Sequence, residues 1–164
     1  MALPFARLLL GAAGKGAMDD GPKGTGIDAK IDTKKFSADL LKAANAMDAD
    51  VRDVVRLLAL KIETGAVTRT PVDTGRARAS WNTTEETADL SVAPEGDHPS
   101  YQGELLTNPN PTGYLSGEKP IYITNNLEYI IDLEYGSSSQ APKGMARLAV
   151  ADALAELNAI VDES

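Results

Sequence analysis

Thr70-Pro71-Val72-Asp73-Thr74-Gly75-Arg76-Ala77-Arg78-Ala79-Ser80-Trp81 is the stretch on which the fold turns. Pro71 cannot continue a helix arriving from the N-terminal side, because its ring removes an amide and clashes with the preceding turn. Gly75 supplies a backbone conformation that a Cβ penalises. Between them, Asp73 or Thr74 can bond nearby amides, and Asp73 is also placed to pair with Arg76 or Arg78. Before this turn the apolar spacing is helical. After it the spacing alternates, as a strand does.

On the upstream side, Phe36, Leu40, Ala44, Met47, Val51, Val55, Leu58 and Ile62 recur at steps of three and four. That is one face of a helix with 3.6 residues per turn. With Thr33 as N-cap and Gly65 interrupting the pattern, one helix is expected over 34–66, about 50 Å long at the standard rise. Residues 11–26 hold six of the 14 glycines and read as a flexible linker. Segment 1–33 is then a Gly-rich arm with an apolar tip, in which Leu8, Leu9 and Leu10 are candidate partner contacts. The tip is too short and too interrupted for a signal peptide.

On the downstream side, 79–92 reads as strand with a turn near Glu85-Glu86. Residues 93–118 form a long Pro-rich loop, with Asn108, Pro109 and Pro111 as further candidate contacts. Ile121–Thr124 resumes strand character. Leu127, Ile130, Ile131 and Leu133 fit either a short helix or a turn and strand, stopped by Gly136. Pro142 suits the first turn of a final helix, and Met145 through Val161 supply its broad apolar side. Six alanines between Ala146 and Ala159 let another helix approach closely.

Composition excludes much chemistry. The 164 residues include no Cys and a single His, His98. A disulfide framework, a thiolate metal site and a Cys nucleophile are therefore absent, and a His relay is disfavoured. No apolar run reaches the length of a membrane span. The net charge is −8, with 24 acidic and 16 basic residues. Residues 70–118 carry eight acidic and two basic groups, and 119–164 carry seven and three, so the whole excess lies there. A wall of that sign repels a polyanion.

Several lures dissolve on inspection. Gly21-Pro22-Lys23-Gly24-Thr25-Gly26 lacks the order and preceding strand of a phosphate loop. Asp48, Asp50 and Asp53 read as a solvated helix face, without the loop of a calcium site. Glu85, Glu86 and Asp89 sit in a polar turn, where ordinary carboxylate pKa values are expected. Ser80 has no evident His partner. Neither enzyme activity, cofactor nor metal is expected.

Two stretches are more specific. The first is Pro71-Val72-Asp73-Thr74-Gly75-Arg76, running on to Trp81. The second is Asn125, Tyr129, then Glu134-Tyr135-Gly136-Ser137, then Pro142 leading into a helix. In this order they resemble the tail-component family of long-tailed double-stranded DNA bacteriophages, whose members are tail-completion proteins at the neck. The resemblance covers about 34–162. It implies an α+β fold, with a small, mainly antiparallel sheet packed against a long N-terminal helix and a C-terminal helix. It also implies a structural subunit of the virion, assembled in the host cytoplasm. Subunits would form a homo-oligomeric ring, a hexamer with a dodecamer as the alternative, joining the tail tube to the head connector. Expected partners are the connector or stopper and the tail terminator or tube. DNA passes without specific binding, and no membrane is involved. A tail terminator or a non-virion assembly factor is the alternative. On their own chemistry the motif residues read as fold-keeping: Trp81 as core anchor, and Tyr129 and Tyr135 with rings inward and hydroxyls outward.

Overall fold

A computed structural model describes residues 9–11, 33–105, 108–109, 113 and 115–163. Their order is β1 (Leu9–Gly11), α1 (Thr33–Ala46), α2 (Val51–Arg69), α3 (Arg76–Ala79), β2 (Trp81–Glu85), a 3-10 turn (Pro99–Tyr101), β3 (Ile121–Asn125), α4 (Ile130–Glu134) and α5 (Ala146–Asp162). The fold is α+β, as expected. The linker 12–32, Leu8 and Pro111 lie outside the described residues.

The single long helix is corrected to two. Asp48 adopts φ +50 and turns the chain. Asp50 then caps α2, its carboxylate accepting the Arg52 amide at 2.8 Å. Asp50 is thus a start signal and not part of a solvated helix face. The turn largely preserves the apolar phase, so Phe36, Leu40, Ala44, Val51, Val55, Leu58 and Ile62 all reach one core, although Val54, outside the expected stripe, is buried more deeply than Val55. Met47, at the turn, stays 42% exposed. Gly65 does not interrupt α2, which runs on to Arg69. A Cβ there would lie 2.9 Å from that of Ala149, so the glycine permits a close α2–α5 crossing.

β2 and β3 are antiparallel, with Trp81 opposite Asn125 and Glu85 opposite Ile121. Ile121 and Ile123 are buried against α1, α2 and α5. β1 lies on the other side of β3, parallel, with Leu10 opposite Ile123. The expected strand over 79–92 is shorter. Glu86 has φ +77, and Leu90 and Val92 end 48% and 37% exposed. Their alternation finds no ladder partner. Side chains hold 86–93 instead: Thr124 Oγ1 donates to the Asp89 carbonyl, and Asn82 Nδ2 donates to that of Ser91 at 2.8 Å.

A second, smaller core gathers Ala77, Leu127, Ile130, Ala141 and Met145. Trp81 packs against both clusters and does not sit deep in either. Its indole N–H donates to Thr70 Oγ1 at 2.8 Å, and that hydroxyl donates to the Ala66 carbonyl at 2.7 Å. The end of α2, the turn and β2 are thereby tied together. The segment after Asn125 is helical rather than a further strand. Pro142 lies four residues before α5 begins, not in its first turn.

Candidate functional site

The first motif stretch borders an open cleft of ≈ 490 Å³, lined by Pro71–Ala77 on one side and by Tyr129, Leu133 and Gln140 on the other; of the second motif stretch only Tyr129 reaches it. Gln140 closes the joint like a short piece of ladder. Its Oε1 accepts the Val72 amide at 3.0 Å, and its Nε2 donates to the Val72 carbonyl at 3.1 Å. Sequence reasoning missed Gln140, because an exposed glutamine in a polar loop carries no distinguishing pattern.

The turn itself is built around Gly75, at φ +86. A Cβ there would come within 2.7 Å of the His98 carbonyl oxygen, so the expected need for glycine holds. Thr74 Oγ1 accepts the Arg76 amide at 3.3 Å, and the Thr74 carbonyl accepts the His98 amide at 2.8 Å. Asp73 is exposed, and neither arginine turns to it. Arg76 donates to the Ala93 carbonyl at 3.0 Å and lies 3.9 Å from Glu128. Arg78 is buried, its Nε donating to the Thr70 carbonyl at 2.7 Å and its Nη1 to those of Tyr101 and Gly103 at 3.1 and 2.6 Å. Burial lowers the Arg78 pKa. With no carboxylate beside it, the guanidinium serves as a hub for neutral carbonyls. Ser80 Oγ donates to the Arg76 carbonyl at 2.8 Å and accepts the Ala93 amide at 3.1 Å, which is a structural use of that hydroxyl.

Asn125, at the end of β3, is buried. It donates to the Ala77 carbonyl at 2.8 Å and accepts the Leu127 amide at 3.2 Å, joining α3 to the end of β3. Tyr129 is half-buried beside the turn, and burial raises its hydroxyl pKa, opposed by the nearby Arg76. Tyr135 is corrected: its ring is 53% exposed, with the Arg147 guanidinium 4.9 Å over its face. The exposed cation needs that ring outside, where it stacks.

Glu134, one of the motif residues, has a task that the motif alone did not specify. Only 2% exposed, it accepts the Met145 and Ala146 amides at 2.8 and 2.9 Å and the Arg147 amide at 3.1 Å. Arg147 Nε adds a fourth donor at 2.9 Å. The carboxylate therefore satisfies the orphan amides that open α5, a task normally given to an N-cap residue in the same chain segment. Gly144 makes room for it: at φ +88, a Cβ would meet the Glu134 carbonyl oxygen at 2.5 Å. At Gly136, with φ +89, an added Cβ would likewise meet the Pro142 carbonyl oxygen at 2.6 Å. The Glu-Tyr-Gly turn and the Pro-Lys-Gly approach to α5 are thus one interlocked unit.

The long loop is pinned at several points. Arg78 holds Tyr101, which is buried, and Gly103. Asn108 Nδ2 donates to the buried Glu63 at 3.1 Å. Arg56 Nη1 donates to the Ser116 carbonyl at 3.1 Å. Pro109 is half-buried. The acidic turn also departs from expectation. Glu85 loses solvation on burial, which would raise its pKa, but bonds from Ser116, Lys119 and Gly117 outweigh this and hold it low. The Ser91 amide and hydroxyl hold Asp89 low. Both carboxylates are therefore used as acceptors for loop groups. Among the described residues, no cluster of three or more His, Asp or Glu could hold a metal ion. No helix there is long and apolar enough to cross a membrane.

No family model, curated protein or solved structure matches the chain.

Proposed function

We propose that this protein is a structural subunit of a long-tailed phage neck, a tail-completion component whose ring joins the tail tube to the head connector. The observation that carries the reading is the Val72–Gln140 joint. This joint ties the Pro-Val-Asp-Thr-Gly-Arg turn to the loop that follows Glu-Tyr-Gly-Ser, the two stretches on which the resemblance rests. Their polar side chains serve backbone amides and carbonyls, as expected of residues kept for shape. The acidic excess of 70–164 supports a conduit through which DNA passes without being held. A basic lumen would bind phosphates and retard transit.

Disrupting the gene in the parent phage tests this. The expected particles are DNA-filled heads and finished tails of normal length, unjoined, with joining restored by supplying the protein. Tails of irregular length would favour the terminator reading instead. Absence of the protein from purified virions by mass spectrometry would favour an assembly factor.

A further inference from the structure

Several carboxylates of this protein meet a cation of the same chain. Asp50 pairs with Arg52, Asp53 with Arg56, Glu156 with Lys61 and Asp152 with Arg69. The cleft beside the Pro-Val-Asp-Thr-Gly turn is different. Asp73 and Glu95 both line it and both are exposed. Neither has a hydrogen bond or an ion pair among the described residues. The cation in the lining, Arg76, is already engaged, with its Nε donating to the Ala93 carbonyl at 3.0 Å and its Nη1 3.9 Å from Glu128.

Pro71, Val72, Tyr129 and Leu133 give the same cleft an apolar lining. The Tyr129 hydroxyl has no hydrogen-bond partner among the described residues. It lies in the field of nearby carboxylates: burial raises its pKa, Arg76 lowers it, and Glu128 and Asp73 raise it. A more open hollow shares Tyr129 and Leu133 with the cleft and adds Asp132 and Tyr135. There the Arg147 guanidinium stacks on the Tyr135 ring, while Tyr129 carries no such cation.

We propose that this cleft binds an arginine side chain presented by a segment of another protein. The guanidinium pairs with Asp73 and Glu95, and its plane and methylene stem lie against Tyr129 and Leu133. Free carboxylates alone would suit any cation. The apolar lining selects one that is planar, weakly hydrated and carried on a stem, which is arginine. A volume of ≈ 490 Å³ is ample for such a group. A metal ion fits poorly, because no three carboxylate or imidazole groups converge among the described residues. A second copy has no arginine to lend among those residues. Arg52, Arg56, Arg69 and Arg147 are held by carboxylates, and Arg76 and Arg78 by carbonyls. The contact goes beyond the neck reading and serves a monomer or a ring alike.

The probe is a blocked peptide, acetyl-Gly-Arg-Gly-Arg-Gly-amide, titrated into the isotope-labelled full-length protein and followed by NMR. Amides of 72–77 and 129–133 are expected to shift together and to saturate. The citrulline version, equal in shape but neutral, should bind about tenfold more weakly, and the lysine version about threefold more weakly. Asp73→Asn combined with Glu95→Gln should weaken binding of the arginine peptide about tenfold. Asp48→Asn combined with Asp162→Asn removes the same charge from exposed positions outside the cleft, and should leave affinity within about twofold. Circular dichroism checks that both double variants keep the fold. Equal binding of the citrulline or the lysine peptide overturns the proposal. So does an equal loss in the two double variants, or a shift that never saturates, either of which makes the cleft part of a generally acidic surface. Calcium chloride that saturates the same amides at lower concentration overturns it in favour of a metal ion.

Discussion

The region after the Pro-Val-Asp-Thr-Gly turn and the region before α5 each bury one ion, of opposite charge, and use it in the same way. On one side, Arg78 gathers carbonyls from the end of α2 and the long loop. On the other, Glu134 gathers the three amides that open α5, together with Arg147. The cation meets only neutral acceptors. The anion meets neutral donors and one half-exposed cation. A buried ion is tolerated where backbone dipoles replace its water shell, and each ion then ties together segments that no backbone ladder joins. The two hubs differ in what their loss leaves behind. Orphaned amides are costlier than orphaned carbonyls, which have two lone pairs and are more often under-satisfied in folded proteins.

That asymmetry sets the order of expected effects. Glu134→Ala should be the most damaging, costing about 3 kcal/mol in urea unfolding, because it strands amides and leaves Arg147 to water. Arg78→Met keeps much of the buried stem and strands carbonyls, so about 2 kcal/mol is expected by the same measurement. A larger loss for Arg78→Met than for Glu134→Ala would break the comparison. Gly144→Ala should cost about 1–3 kcal/mol, since it adds left-handed strain and a contact against Glu134. Combined with Glu134→Ala, most of the Gly144→Ala penalty should remain, because the left-handed strain and the 2.5 Å approach to the Glu134 backbone carbonyl persist and only the contact with the carboxylate is relieved. Loss of nearly the whole Gly144→Ala penalty in that double variant would instead place the clash at the carboxylate.

The smallest effect belongs to an exposed ion. Asp50 is held down to about 2 by hydrogen bonds from the Arg52 side chain and amide. Its folded pKa lies below the unfolded value, so its contribution is present above the ordinary Asp range. It is lost as pH falls from there towards about 2. Carboxyl NMR should show that low midpoint. Stability near neutral pH should barely respond to added salt at this exposed pair. A strong salt dependence would mean that surface pairs, and not the buried hubs, dominate the electrostatics.

Much of the scaffold was legible. Gly75 and Gly136 declare themselves, because their neighbours are turn formers and their places in the pattern demand positive φ. The α5 face and the β3 strand follow from apolar spacing. The break between α1 and α2 was hidden because the intervening turn keeps the helical phase, and only Asp50, a good cap residue, marked it. Leu90 and Val92 misled for the opposite reason: alternation does not reveal whether a ladder partner exists. The hubs were the least readable. Arg78 and Glu134 look like ordinary surface charges until the fold brings carbonyls and amides around them, and those backbone groups are present at every position of any sequence. Asp73, the most suggestive residue of the motif, is exposed, while the partners expected for it serve other groups.

Trp81 has one more consequence. It is the only tryptophan of the chain, and it touches the large helical core, the small core behind the cleft and the end of α2 at once. Intrinsic fluorescence therefore comes from a single emitter placed at the seam. Loosening of either core changes the polarity around the same indole. A spectrum that shifts in two stages would separate the two cores in time, with no label added to the molecule.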